Sequence, residues 1–314
     1  MMMSMLYYGL NIYWIAGIGL YSLRFFNNFF HHILQYGRFS PTIENQSSER
    51  KKNLVQKVIS TLLQPLITEK LHWRCIYSIG LFFNTLSLIY IFIYYFLRNN
   101  SENKNGNFNN RNFGTINCMI VMILLYEIHL LKRCVEVFFF QPWTHPARLV
   151  GPFLFLSGVS YYICAPLSLC VSSLLIIESN SFEGHNSSYG NDMIQIAMVM
   201  AGVILFLWSC FHQYKCHAIL YSLARIKNKN PEIGYQIPRG DLFEYLYCPH
   251  YFTEILMYFS LNLMIGFSQF PMLFCFSFTT LNLSYHSFET HDWYQQKFKD
   301  KLPKSRKIFL PFIV

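Results

Sequence analysis

The polar stretch from His212 to Glu254 holds many of the side chains best suited to chemistry. It reads HQYKCHAILYSLARIKNKNPEIGYQIPRGDLFEYLYCPHYFTE and is bounded by apolar runs on both sides. Five cations, Lys215, Arg225, Lys227, Lys229 and Arg239, are mixed with His212, His217, His250, Asp241 and Glu254. Aromatic rings punctuate it, among them Tyr221, Tyr235, Phe243, Tyr247 and Tyr251. Cations and flat rings in one confined segment suit an anionic ligand with aromatic parts. A second group lies at the end of the third apolar run. There His129, Lys132, Arg133 and Glu136 fall at i, i+3, i+4 and i+7 and share one helical face. Within a membrane such a face looks into the bundle or a wet cavity. At a membrane edge the same cations would snorkel to the headgroups. Both readings stay open, and Glu127, His129 and Glu136 are candidates for lining a substrate end. A third group, His291 and Tyr294, follows the last apolar run at a spacing of three, again on one face. An imidazole and a phenol there could hydrogen-bond a substrate oxygen and supply a proton.

The elements that position these groups follow from composition. At 314 residues, 53% hydrophobic and 13% charged, the chain is too apolar for an ordinary soluble domain. Continuous apolar runs approach the roughly 20 residues that cross a bilayer, and they do not alternate as a barrel requires. The expected fold is all-α: a polytopic membrane protein of about seven transmembrane helices, with residues 1–314 forming one domain. Expected spans are 6–23, 75–97, one beginning over 116–131, then 149–177 and 193–211. Pro152 opens the fourth span, and Pro166 inside it predicts a kink. The first run lacks a basic leader and is followed by Arg24-Phe25-Phe26, so it reads as a retained span. Residues 251–285 span about 52 Å as helix, at about 1.5 Å per residue. Two short spans broken near Gly266–Pro271 keep the basic tail on the side of the other basic loops.

The formal charge is +9. Lys and Arg gather at 24–74, at 215–249 and in the tail from Lys297 to Lys307, which places these segments in the cytoplasm. Residues 178–192 contain neither and read as lumenal, giving a lumenal N-terminus and a cytoplasmic C-terminus. Residues 98–115 are Asn-rich and read as a polar loop; Asn99 and Asn186 open glycosylation sequences. Charges placed between spans and in a tail need no nucleic-acid partner. The nine cysteines form no C-x-x-C pair and suggest neither a metal site nor a disulfide framework. With no G-x-G-x-x-G after a strand, a dinucleotide-binding Rossmann fold is excluded. No internal repeat of the kind transporters carry is visible.

IPRGDLFEYLYCPHYFTE (237–254) and HDWYQQKFKDKLPKSRKIFLPFIV (291–314) resemble the steroid 5α-reductase family. Its members carry I-P-x-G-x-L/W-F-x-Y-V, then a short aromatic run ending in Glu, and a C-terminal Y-P-K-x-R-K-A-F/L-L/I-P-F. Leu302 stands where the tail motif has Tyr, and Ile308 where it has Ala. The resemblance covers roughly 205–314 well and the first half only by hydropathy. HQYKCHAIL and GDLFEY resemble the polyprenol reductase branch more than the steroid branch, which favours Gly-Gly after I-P-x. PLITEKLHWRCIYS (65–78) looks loosely like that branch's P-x-R-x-F-x-H-F-Y segment, with His72 as its histidine.

The resemblance implies a seven-helix endoplasmic-reticulum enzyme that uses NADPH to reduce a carbon–carbon double bond, with the cofactor toward the cytosol and its binding half over about 205–314. Tyr235, Gly240, His250 and Glu254 fall on the family's cofactor motif; His250 stands where the steroid branch has Asn. Arg225, Arg239, Lys304 and Arg306 are the candidates for the cofactor phosphates, with lipid headgroups as the alternative partner of each cation. His291 falls where the family requires a histidine. An isolated alkene accepts hydride poorly, whereas a conjugated carbonyl gathers the charge on an oxygen that donors can stabilise. That chemistry favours a 3-oxo-4-ene steroid or a polyprenal over a free polyprenol. With the branch resemblance, the expected reaction saturates the α-isoprene double bond of polyprenol, or of its aldehyde polyprenal, on the route to dolichol for protein N-glycosylation, with alcohol or aldehyde left open. No metal and no obligate protein partner is expected. The rivals are a 3-oxo-4-ene steroid 5α-reductase and a non-enzymatic transporter or scaffold.

Overall fold

A computed structural model describes residues 2–23, 67–104, 110–143, 149–182, 189–303 and 305–308. Among them the chain forms seven α-helices: α1 (Met2–Ser22), α2 (Glu69–Lys104), α3 (Asn110–Val135), α4 (Pro152–Phe182), α5 (Tyr189–Lys229), α6 (Pro249–Met264) and α7 (Phe270–Phe298). One small antiparallel pair, β1 (Ile67–Thr68) with β2 (Leu149–Val150), ties the entrance of α2 to that of α4. Lys304, the basic segment 24–66 and the sequon at Asn186 lie outside the described residues.

The helices run further than hydropathy alone suggested. α2 continues to Lys104 and α3 begins at Asn110, so most of the Asn-rich stretch is helical. The larger correction is α5. It is 41 residues long, about 60 Å, and carries His212–Lys229 as helix rather than as a connection. The physical reason is local: Ala218, Leu220, Leu223, Ala224, Lys215 and Arg225 are good helix formers, and proline is absent until Pro231, where a single 3-10 turn takes over. The expected break in 251–285 is present. α6 ends at Met264, and Gly266 and Phe267 both take positive φ, +60° and +55°. Asn262 Nδ2 spans the turn, donating to the Tyr258 and Met272 carbonyls at 2.9 and 3.2 Å.

Among the described residues, three helices are long and apolar enough to cross a bilayer, over Glu69–Arg98, Pro152–Ser179 and Met193–Lys229. Two of them present apolar stripes outward at helical spacing. Phe82, Leu86, Ile89, Ile93 and Phe96 are exposed on α2, and Ile196, Met200, Ile204, Leu207 and Phe211 on α5. Such stripes have no place in water and suit lipid. Inside, helices are joined by polar clips of the kind that hold membrane bundles together. Trp14 Nε1 donates to Ser168 Oγ at 2.9 Å between α1 and α4. The Tyr126 and Tyr258 hydroxyls meet at 2.9 Å between α3 and α6, and Tyr161 meets Thr279 at 2.8 Å between α4 and α7. α5 and α6 cross closely at Gly202, where a Cβ would come within 2.9 Å of the Ser260 carbonyl oxygen.

Candidate active site

The polar face of α3 is re-aimed where the helix ends. Residues Glu136–Phe140 form a π-helical turn, and the Gln141 N–H donates to the Glu136 carbonyl at 2.8 Å. Such turns often mark functional sites. The carbonyls left over at this end are met by side chains. Arg74 Nη2 donates to Phe138 O at 3.0 Å, and Arg225 Nη2 to Phe140 O at 2.8 Å. Arg225 is thus already engaged with backbone, at the end of α5.

Around the turn a buried polar network joins four helices. Arg133 pairs with Glu136. Its Nη2 donates to the Tyr77 hydroxyl of α2 at 2.9 Å, and its Nη1 to the Tyr221 hydroxyl of α5 at 3.4 Å. His217 Nδ1 lies 2.7 Å from Arg133 Nη1 and 2.8 Å from Glu136 Oε2. One turn back on α3, His129 Nε2 is 3.3 Å from Glu254 Oε1 of α6. Gln213 bridges the two halves: it donates to Glu254 and accepts from Lys132.

This network walls a cavity of about 370 Å³, a size that holds the head of a small organic ligand. Tyr77, Arg133, Gln213, His217, Tyr221, His250 and Glu254 supply its polar wall. His72, Tyr161, Phe278, Asn282, His286 and Thr290 are among the other residues that line it. His286 is 5% exposed, and its Nδ1 lies 3.0 Å from Glu289 Oε2. The rings of His217, His250, Tyr251 and His286 form a row along the wall, with centroid separations of 5.9, 4.1 and 6.5 Å.

Beside α5 lies a second assembly, built from the two sequence motifs. Lys307 pairs with the 245–247 segment: its N–H donates to Tyr245 O and its carbonyl accepts from the Tyr247 N–H, each at 2.9 Å. Arg306, 6% exposed, donates from Nη1 to Pro238 O at 2.9 Å and holds Nη2 3.7 Å from Glu244. Gly240 takes φ +93°, which a side chain would strain, and its N–H donates to Glu244 Oε1 at 2.6 Å. Asp241 anchors the loop to α5 through His212 Nδ1 at 2.9 Å and Lys215 Nζ at 3.7 Å. Burial alone would raise the Asp241 pKa; the His212 bond, the Leu242 N–H and nearby charge outweigh it and hold the carboxyl below its ordinary value. Burial raises the Tyr247 phenol and lowers Arg306, each partly opposed by neighbouring charge.

The sequence candidates are therefore distributed as follows. His129, Glu136 and Glu254 come together in the network, with Glu254 and His250 on the cavity wall. Glu127 turns to α2, where Asn84 Nδ2 donates to it at 2.7 Å and Thr85 also bonds it, and it does not reach the cavity. Arg239, Gly240 and Arg306 gather at the motif assembly, with Arg239 exposed. Tyr235 sits edge-on to Trp293 at 5.0 Å, with Lys227 Nζ 3.5 Å over its ring. His291 and Tyr294 both pack on Tyr247, at 5.0 and 6.0 Å between ring centroids, away from the cavity wall. The sequence reading named His217 and Tyr221 only as members of the polar stretch, without a site role, and did not name Gln213. Their i, i+4, i+8 spacing becomes visible only once 212–229 is known to be helix. It also missed the H-x-x-E pair His286 and Glu289.

A family model described as 3-oxo-5-alpha-steroid 4-dehydrogenase matches residues 157–314. The chain belongs to this family. The match takes in nearly all of α4, then α5 to α7 and the tail; Tyr77 and Arg133 come from helices before it. Among curated relatives, the chain is 34% identical over 210 residues to Polyprenal reductase 1 of Arabidopsis thaliana, covering 62% of this chain and 64% of that protein. It is 33% identical over 216 residues to Polyprenal reductase 1 of Oryza sativa subsp. indica, covering 62% and 58%. It is 29% identical over 204 residues to Polyprenal reductase of Homo sapiens, covering 63% and 60%. The matches span less than two thirds of each relative's length. Steroid 5α-reductase family enzymes use NADPH, and the residues present fit it. Arg306 Nε and Nη2 are buried with no hydrogen-bond partner among the described residues, donors of the kind a phosphate oxygen satisfies. The cavity offers the Glu254 carboxylate to a carboxamide.

Proposed function

We propose that the chain is an NADPH-dependent reductase of the endoplasmic reticulum membrane. It saturates the α-isoprene double bond of a polyprenoid, as polyprenal more than polyprenol, on the way to dolichol for protein N-glycosylation. In this reading α1 to α7 all span the bilayer, with the N-terminus lumenal and the motif assembly cytosolic. The observation that carries it is Arg133: a buried guanidinium bonded to two phenols, on a cavity wall, in a chain of this family.

Hydride is what NADPH supplies when bound. Glu254 and His250 would hold its carboxamide end, with Tyr235 and Gly240 along its length. Arg225, Arg239, Lys304 and Arg306 would meet its phosphates. When hydride reaches the β-carbon of a conjugated aldehyde, negative charge grows on the carbonyl oxygen. Tyr77 and Tyr221 each accept a bond from Arg133 and so present a polarised O–H to that oxygen. Donors arranged before the reaction stabilise such charge most when water is excluded. An allylic alcohol develops no such charge, which is why the aldehyde suits this wall.

The second reading, reduction of a 3-oxo-4-ene steroid, is favoured by the description of the matching family; such a steroid is also a conjugated carbonyl. The test is turnover by purified protein in detergent with NADPH and matched polyprenal, polyprenol and testosterone, alongside His291→Ala. Saturated polyprenoid, fastest from the aldehyde and reduced in the variant, supports the reading. Turnover of testosterone alone transfers it to steroids.

A further inference from the structure

We infer that His286, held by Glu289, is the proton donor of the reduction, delivering its proton to the carbon beside the one that takes hydride. The inference rests on the reductase reading and adds the source of the second hydrogen. Saturating a conjugated aldehyde needs a hydride at the β-carbon and a proton at the α-carbon. The Tyr77–Arg133–Tyr221 group suits the oxygen. A different group must face the carbon.

His286 is placed for this. It sits on α7 and lines the cavity, while the oxygen-binding group is built from α2, α3 and α5. Glu289, three residues on, lies behind it, with its carboxylate 3.0 Å from Nδ1. Both side chains are nearly buried, at 6% and 9% exposure. A buried carboxylate on Nδ1 orients the ring and stabilises the imidazolium, as it does in catalytic triads, and the transferred proton is assigned to Nε2. The row of rings through Tyr251 and His250 to His217 shows that His286 and the Arg133 network share one continuous wall. His291, one and a half turns further along α7, packs on Tyr247 outside that wall.

The balance is simple. Two electrons enter with the hydride at the β-carbon, and the double bond shifts to give an enolate. The α-carbon takes a proton from His286 Nε2, forming a C–H bond. The neutral imidazole then regains a proton from water.

The test is reduction of polyprenal in D₂O with unlabelled NADPH. The aldehyde is trapped at once as the alcohol, and the configuration of the deuterium at the α-carbon is determined. Wild-type protein is expected to give one configuration. His286→Gln is expected to lower kcat about 100-fold, with the KM for NADPH unchanged, and to give both configurations, because water then protonates an unshielded enolate. Glu289→Gln, which keeps the donor, is expected to retain one configuration while lowering kcat by a smaller factor and raising the solvent isotope effect. If His286→Gln does not fold, Glu289→Gln decides: an unchanged kcat and isotope effect would overturn the proposal. Mixed configuration from wild-type protein, or a single configuration from His286→Gln, would also overturn it while leaving the reductase reading intact. No saturated product from wild-type protein would defeat both.

Discussion

Arg306 donates from Nη1 to the carbonyl oxygen of Pro238 at 2.9 Å, joining positions 68 residues apart. This single bond links the two motifs that carry the family signature. The flanking backbone pairing of Lys307 with Tyr245 and Tyr247 extends the link, and Tyr247 OH adds a bond to Pro303 O at 2.7 Å. The tail is thereby part of the motif assembly.

Arg306→Ala should therefore act through the fold as well as through any phosphate. Losing a buried charged donor costs about 1–3 kcal/mol. The expected outcome is a melting temperature in detergent lowered by several degrees, with faster trypsin cleavage at Arg239. Arg306→Lys keeps the charge but not the planar fork and should recover only part of the loss. Unchanged melting and proteolysis in both variants would contradict the clamp.

Asp241 links stability to pH. Its folded pKa is below its unfolded value of about 3.9. Its contribution is thus fully present above the unfolded value and is lost as pH falls through the folded one. Wild-type protein should lose stability below about pH 4 more steeply than Asp241→Asn, and the two curves should run parallel at neutral pH. Melting temperatures between pH 3 and 7 check this.

The crossing of α5 and α6 depends on Gly202. A Cβ there would sit 2.4 Å from Met264 Cγ and 2.9 Å from Ser260 O. Gly202→Ala should destabilise by about 1–3 kcal/mol. Adding Met264→Ala removes the side-chain clash but not the backbone one, so rescue should be partial. The double-mutant cycle measured by thermal melting gives the coupling directly.

Arg133 and Glu136 are buried as a pair. Removing one partner strands the other, at a cost of about 3–5 kcal/mol. Arg133→Met should therefore fold poorly, whereas Arg133→Met with Glu136→Gln should fold. Reductase activity should stay lost in the double variant, because Tyr77 and Tyr221 no longer share a cation. Expression, melting and turnover separate these outcomes.

Much of the architecture was legible in the sequence, and the failures have physical causes. Hydropathy located the helical runs, and Gly266 with Pro271 marked the break between α6 and α7. The second half of α5 was hidden because polarity was taken as the sign of a connection. Helix propensity and the absence of proline before Pro231 were the better guide. The same error hid the face that Gln213 shares with His217 and Tyr221. Glu127 shares the acidic type of Glu136 but lies nine residues away, more than two turns, and its carboxylate meets Asn84 and Thr85 on α2. His291 carries the family motif, yet His286 faces the cavity, a distinction that spacing along one helix does not make. The π-helical turn at Glu136–Phe140 left no signal that periodicity could read.

The most direct test of the central claim uses NADPH carrying deuterium at its transferable position, with polyprenal as substrate and the full-length protein in detergent. Mass spectrometry and NMR of the product locate the label. The account predicts one deuterium at the β-carbon of a saturated α-isoprene unit. Deuterium at the carbonyl carbon, with the double bond intact, would make the protein an aldehyde reductase and contradict it.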